Sequence, residues 1–345
     1  MLTLTDLPLL PTQTIGSHGV PSWLWVFREA VAEGKVGPAD IQETLTDAVK
    51  LAIMDMTEAG LDIISDGELY RADFTWNFHD RIVGMDPIPF ERRLGYPGPD
   101  QLDSFRCMTE LTVPNGYGLV PEIEFMRAHT DKPFVTGLQS PVTQAFRIHP
   151  GEIYNNKGEI AWALVPYINK ELKDAVEAGA TYLQFDEPAF WTMPGGEAEM
   201  TELFNACVED VKATIGIHLC FGNFRGRPAT SDRTYAKIAP FIQRMNVDVV
   251  HMEFANRGMW QTELWQEWGG DKILCAGVID VKGRSLESVE TMVDRIHLLL
   301  KSVAPDKLWL AGDCGFSQTA RWLAVEKMKV MVEAAHIVRG ELAGR

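Results

Sequence analysis

The chain has 345 residues, is 46% hydrophobic and carries a formal net charge of −16. That length suits a large core, and that acidity argues against nucleic acid and anionic membranes as partners. The opening stretch "MLTLTDLPLLPTQTIGS" has no basic start and no long apolar run, so neither a secretory signal nor a membrane span is expected. In chain order, β-rich runs are predicted at 12–17 (TQTIGS), 62–68 (DIISDGE), 133–140 (PFVTGLQS) and 182–189 (YLQFDEPA). Four more follow at 214–220 (TIGIHLC), 248–254 (DVVHMEF), 273–280 (ILCAGVID) and 308–315 (LWLAGDCG). Helical spacing runs through 38–60, 158–179 and 285–303; the first two stop at Gly, and Pro305 follows the third.

Alternating strands and helices imply a parallel sheet, because parallel neighbours need crossover connections. Eight such units predict an α/β (β/α)8 TIM barrel, and 1–345 reads as a single catalytic barrel. No G-x-G-x-x-G follows the first strand, which disfavours an open doubly wound sheet. Residues 84–132, rich in Pro, Gly and aromatics, are expected to form a long inserted loop after the second strand, near the barrel mouth.

Chemistry in such barrels sits at the C-terminal ends of strands. Here those ends carry Asp66 and Glu68, Asp186 and Glu187, His218 and Cys220, His251 and Glu253, Asp280, and Asp313 and Cys314. Residues two apart on a strand share a face, so His218 and Cys220 aim at one spot. With Glu253 and Cys314 they make a plausible Zn2+ set of imidazole, carboxylate and thiolates. His251 shares the face of Glu253 but lies about 6–7 Å earlier, and is expected behind the ligands. The five cysteines, 107, 207, 220, 275 and 314, read as reduced thiols in a cytoplasmic protein. Cys275 is expected to be a small buried hydrophobe. A zinc ion with two thiolates and a carboxylate carries a net negative charge. It is a poor activator of water, but it deprotonates an incoming thiol and leaves the sulfur nucleophilic.

These motifs resemble the cobalamin-independent methionine synthase family, specifically its catalytic C-terminal barrel, from "TIGS" at 14–17 to "DCGFSQTARW" at 313–322. The resemblance implies that His218, Cys220, Glu253 and Cys314 bind zinc. It implies that Ile15 and Ser17 hold an amino-acid carboxylate, and that Glu68 and Asp186 hold its ammonium; the bland reading of these two acids is helix capping. Phe146, in "GLQSPVTQAF", matches a donor-side aromatic residue. The implied function is transfer of a methyl group from methyltetrahydrofolate, or from a methyl-corrinoid on a partner protein, to the thiol of homocysteine. The chain departs from the family in two ways. The large N-terminal half of the long enzymes is absent, so a short single-barrel member is expected. Where those enzymes have Asp-Ile-His, this chain reads Asp280-Val281-Lys282. Asp280 and Lys282 are thus the candidates for the missing proton donor. Arg225 and Arg227 leave open an anionic thiol such as coenzyme M, as in epoxyalkane:coenzyme M transferase. A metal-free decarboxylase of the same fold and a zinc-stabilised binding protein complete the alternatives.

Overall fold

A computed structural model describes residues 4–71, 78–89, 104–190, 193–222 and 234–344. Its elements begin with helices α1 (Ser22–Ala32) and α2 (Pro38–Glu58), then strands β1 (Val83–Ile88) and β2 (Ser104–Thr112). Helix α3 (Leu119–His129), β3 (Thr136–Gln139), α4 (Pro141–Phe146), β4 (Ile148–His149) and α5 (Lys157–Glu177) follow. Next come β5 (Tyr182–Glu187), α6 (Gly196–Cys207), β6 (Thr214–Leu219), α7 (Ala239–Ile242) and β7 (Val249–Glu253). The last are α8 (Leu264–Trp268), β8 (Ile273–Ile279), α9 (Val289–Leu299), β9 (Leu308–Gly312) and α10 (Arg321–Ala343). Among the described residues, no helix is long and apolar enough to cross a membrane.

Six parallel strands pair in the order β3-β5-β6-β7-β8-β9. Single parallel bridges, Thr12 to Leu310, Gln13 to Ile63 and Ile64 to Phe134, join the two edges of this sheet through two short staves. The fold is therefore α/β and TIM-barrel-like, as predicted. The correction concerns the first two staves: the predicted strands 12–17 and 62–68 pair only at these bridges. The second ends early because Gly67 and Glu68 both take left-handed φ, +70° and +57°. A left-handed Glu costs about 1–3 kcal/mol and turns the chain out of the ladder.

The ring closes around an interior layer of Ile15, Ile63, Val135, Tyr182, Val249, Cys275, Trp309 and Ala311. Only β6 gives no side chain here. A Cβ on Gly216 would sit 2.9 Å from the Tyr182 ring, so this stave supplies bare backbone. Burying each large apolar member contributes roughly 1.5–3 kcal/mol. Two residues further along the same faces come Gln184, His218, His251 and Asp313. Apolar packing thus gives way to polar groups toward the strand ends. Alternate residues such as Leu183 and Phe185 face outward into the larger core under the helices.

The helices follow their caps. Asn156 accepts from Glu159 N at 3.1 Å to start α5. Helix α9 starts later than predicted: Ser288, not Ser285, is its cap, accepting from Thr291 N at 3.2 Å. Glu287 is held outside the helix by Asp280 N at 2.9 Å and Lys327 Nζ at 2.6 Å. The expected insertion is shorter than 84–132, because 119–129 is the regular helix leading to β3. Its β1 and β2 form an antiparallel hairpin, extended by β4. The hairpin docks beside the end of β3. His79 stacks on Phe105 at 4.9 Å and meets Gln144 O at 3.0 Å.

Candidate metal centre

His218 lies near the end of β6, Cys220 just past it, and Cys314 just past β9. One ligand atom from each lies within 4.8 Å of the others. The two sulfurs are 3.6 Å apart. Two Zn–S bonds in a tetrahedron set sulfurs about 3.8 Å apart. The Cys220 sulfur beside it, opposed by burial and helped by His218, holds the Cys314 thiol well below its ordinary value. Cys314 and burial in turn push Cys220 up.

The tautomer of His218 follows from its neighbour. Gly312 O only accepts, so His251 Nε2, at 2.8 Å, carries a proton. Burial and then His218 hold the His251 ring well below its usual pKa, which makes it neutral. Its Nδ1 must therefore accept from His218 Nδ1, 2.5 Å away. The remaining His218 nitrogen, Nε2, is buried and has no hydrogen-bond partner among the described residues. A buried imidazole nitrogen beside two sulfurs fits zinc, with His251 behind the ring; burial lowers the His218 pKa, but the neighbouring Cys314 sulfur and acids raise it on balance.

Glu253 lies outside this group of three. Its Oε1 accepts from Phe221 N at 2.7 Å and stands 3.6 Å from Cys220 Sγ. Its Oε2 accepts from Asn256 Nδ2 and from Lys282 Nζ, each at 3.0 Å. Lys282 therefore faces the cluster through Glu253. Asp280 Oδ1 accepts from Lys282 N at 2.9 Å and Gly283 N at 3.0 Å, closing its own turn. Asp313 accepts from the backbone of Phe254, Ala255 and Asn256 at 2.6–2.9 Å, which ties Cys314 to the loop after β7.

The second group of predicted residues gathers on the other side. Gln184 Nε2 donates to Ile15 O at 2.6 Å and to Asp186 Oδ1 at 3.2 Å. Ser65 Oγ donates to Gly16 O at 2.5 Å. A Cβ on Gly16 would lie 2.6 Å from Glu68 Oε1, so glycine is required where this carboxylate comes in. Ser17 packs against Gly315, next to Cys314. Glu68 meets Arg71 Nη1 at 3.1 Å, and Arg71 is held in turn by Glu122 at 2.6 Å. Burial, opposed by Arg71 and reinforced by Asp186, pushes Glu68 up. Burial, opposed by His218 and reinforced by Cys314, raises Asp186 to about 7. Glu68, Glu122 and, more distantly, Asp186 thus share a single guanidinium, that of Arg71. Phe146 is half exposed at the end of α4, with Lys157 Nζ 4.9 Å from its ring. Arg225 and Arg227 lie outside the described residues.

Sequence reasoning missed the supports. Arg71, three residues after Glu68, was detectable as an i,i+3 pair. Asn256, which also reaches Asp313 at 2.9 Å, had no such signal. Neither did Tyr235, whose hydroxyl donates to Leu219 O at 3.0 Å and accepts from Glu253 N at 2.7 Å. Glu187 is no ligand: it accepts from Thr143 Oγ1 at 2.8 Å and Ala189 N at 2.9 Å and anchors α4.

Known proteins resemble this chain along nearly its whole length. Residues 10–93 and 120–337 match the family model described as the catalytic domain of cobalamin-independent synthase; β1 lies inside the first span and β2 in the gap. A protein of Saccharolobus islandicus named methionine synthase is 33% identical over 98% of both chains. One from Saccharolobus solfataricus, also named methionine synthase, is 32% identical over 98% of both. Among solved structures, a B12-independent methionine synthase from Shewanella sp. W3-18-1, in complex with selenomethionine, is 27% identical. It superposes with a TM-score of 0.83 over 98% of this chain and 100% of its own.

Proposed function

The chain belongs to the cobalamin-independent synthase catalytic-domain family, and from that premise we propose that it is a zinc-dependent methyltransferase making methionine from homocysteine and methyltetrahydrofolate. The observation that carries the reading is the buried, unpartnered His218 Nε2 facing the Cys220 and Cys314 sulfurs. His218, Cys220 and Cys314 would hold the metal, with Glu253 beside them. Bound there, zinc supplies a Lewis acid that ionises the substrate thiol near neutral pH while leaving its sulfur electron-rich.

The protein's own groups do the positioning. Ile15 and Ser17 present backbone and hydroxyl to the amino-acid carboxylate. Glu68 and Asp186 take the ammonium, adding a second cation to a group of acids that otherwise shares Arg71. Holding both ends of the amino acid places its thiol at the cluster, and such positioning turns an encounter into a near-unimolecular step. Phe146 offers an exposed aromatic face to the methyl donor. The selenomethionine bound by the Shewanella protein is an analogue of the proposed product, which supports an amino-acid site in this fold. The family is cobalamin-independent, which leaves a corrinoid partner no part in this reading.

The test is a product assay. Zinc-loaded protein receives homocysteine or coenzyme M as acceptor, and methyltetrahydrofolate or methylcobalamin as donor. Methionine from homocysteine and methyltetrahydrofolate is the expected product. Alkylation of coenzyme M with no methionine formed would overturn the reading.

A further inference from the structure

We propose that Glu122 is a positioning residue that sets the preference for an amino-acid thiol: it grips Arg71 with both carboxylate oxygens, so that the arginine orients Glu68 without cancelling the charge that the homocysteine ammonium seeks. The proposal rests on the ammonium role given above to Glu68 and Asp186. It starts from how one guanidinium is divided between two acids. Arg71 Nε donates to Glu122 Oε1 at 3.1 Å, and Nη2 to Glu122 Oε2 at 2.6 Å. Glu68 receives a single bond, from Nη1 to Oε1 at 3.1 Å. The forked, two-point pairing is the stronger of the two. The side chains of Arg71, Glu68 and Glu122 are 1%, 6% and 14% exposed, so water screens these contacts little.

The consequence follows from charge. Paired with Glu122, Arg71 forms a neutral unit, and the carboxylates of Glu68 and Asp186 remain for an incoming cation. With residue 122 uncharged, Arg71 would pair with Glu68 instead. The ammonium would then approach a guanidinium whose charge is already spent on its own acceptor, and a like charge so close in a buried site disfavours a second cation. The thiol and carboxylate ends of homocysteine stand outside this balance, so the amino group alone reports on Glu122.

The grip is held from outside the site. Glu122 lies in the first turn of α3, and the start of that helix is fixed by Glu171 of α5, which accepts from Tyr117, Gly118 and Leu119 N at 2.7–2.9 Å. Arg71 Nη2 also donates to Gly137 O at 2.8 Å, and its guanidinium lies 5.0 Å from the centre of the Phe78 ring. Helix, strand and ring thereby fix the guanidinium, and Glu68 is oriented against it. Glu68 Oε1 also comes in over Gly16, between Ile15 and Ser17, so the ammonium and carboxylate of one amino acid would meet adjoining groups.

The test uses zinc-loaded wild type, E122Q and the R71M/E122Q double variant, with calorimetry at about pH 8, above the value of about 7 to which Asp186 is raised. The probes are homocysteine and 4-mercaptobutyrate, the same thiol acid without its amino group. Wild type binds homocysteine at least about tenfold tighter than 4-mercaptobutyrate, the scale of one charge-assisted contact. E122Q binds homocysteine at least about tenfold more weakly than wild type does, and 4-mercaptobutyrate within about threefold of it. The double variant has no guanidinium to compete for Glu68, so its homocysteine Kd returns to within about threefold of wild type, a non-additivity that requires coupling between Arg71 and Glu122. Removing both members of a buried ion pair strands neither, so the double variant decides the matter even if E122Q folds poorly: a kept preference for homocysteine supports the role and a lost one overturns it. A merely structural defect weakens both thiols alike. Equal weakening in E122Q, an unchanged homocysteine Kd in E122Q, or a double variant as weak as E122Q overturns the role of Glu122 alone. Wild type that binds homocysteine no tighter than 4-mercaptobutyrate overturns the ammonium reading beneath it.

Discussion

Cys314→Ser keeps its barrel and loses its metal. Serine is nearly isosteric, and position 314 lies past the end of β9, outside the apolar layer that closes the ring. The fold therefore persists, with circular dichroism and melting close to wild type. The site changes because a hydroxyl stays protonated where a thiol ionises readily beside a metal. The ion then keeps one sulfur and one nitrogen, too few to hold it against a chelator. Zinc content should fall from one per chain to near none, and methionine formation by at least about 10³-fold, given that even changes to the groups that hydrogen-bond metal ligands cost about 10–100-fold. Cys275→Ser is the control. That sulfur sits in the interior layer, accepting from Gln13 Nε2 at 2.9 Å, and its loss should leave zinc content unchanged. A Cys314→Ser enzyme with full turnover would remove the cluster from the chemistry.

Glu68→Ala has its effect on the amino acid instead. A charge-assisted hydrogen bond to a buried carboxylate contributes about 1.5–3 kcal/mol, so homocysteine should bind about 10–100-fold more weakly while zinc affinity stays at the wild-type value. Arg71 keeps its ion pair with Glu122, so the variant does not strand a buried cation. The pH dependence has a definite sign. Asp186 is raised to about 7, and an ammonium binds its ionised form. Homocysteine affinity should therefore rise as pH increases through about 7 and fall below it. Calorimetry between pH 6 and 8 (a range set by that pKa) reads both effects. Unchanged affinity in Glu68→Ala would take that carboxylate out of the ammonium site.

Much of this site could be read in the sequence because strand geometry is periodic. His218 and Cys220 share a face by a two-residue repeat, and each parallel stave delivers its end to the same rim. What failed depended on contacts between distant residues. The first two staves shrink to bridges because a left-handed Glu68 breaks the second, and no local propensity announces a strained glutamate. Asp280, read as a catalytic candidate at a strand end, also accepts from two backbone amides of its own turn, contacts that no periodicity announces. Glu253, read as a fourth ligand, has one carboxylate oxygen on Lys282 and Asn256, partners that no local spacing announced. Helix α9 starts four residues after the predicted 285 because Glu287 is drawn out of the helix by Lys327, far along the chain. The hairpin at β1 and β2 could be seen as an irregular stretch, but its end was obscured because α3 begins so soon after it.

The central claim is that a sulfur-rich zinc centre takes up another molecule's thiol. Zinc K-edge absorption of the metal-loaded protein, recorded with and without homocysteine, tests it most directly. The account predicts two sulfurs near 2.3 Å in the resting protein and a third at about the same distance once homocysteine is bound. A sulfur count that stays the same with saturating homocysteine would contradict it.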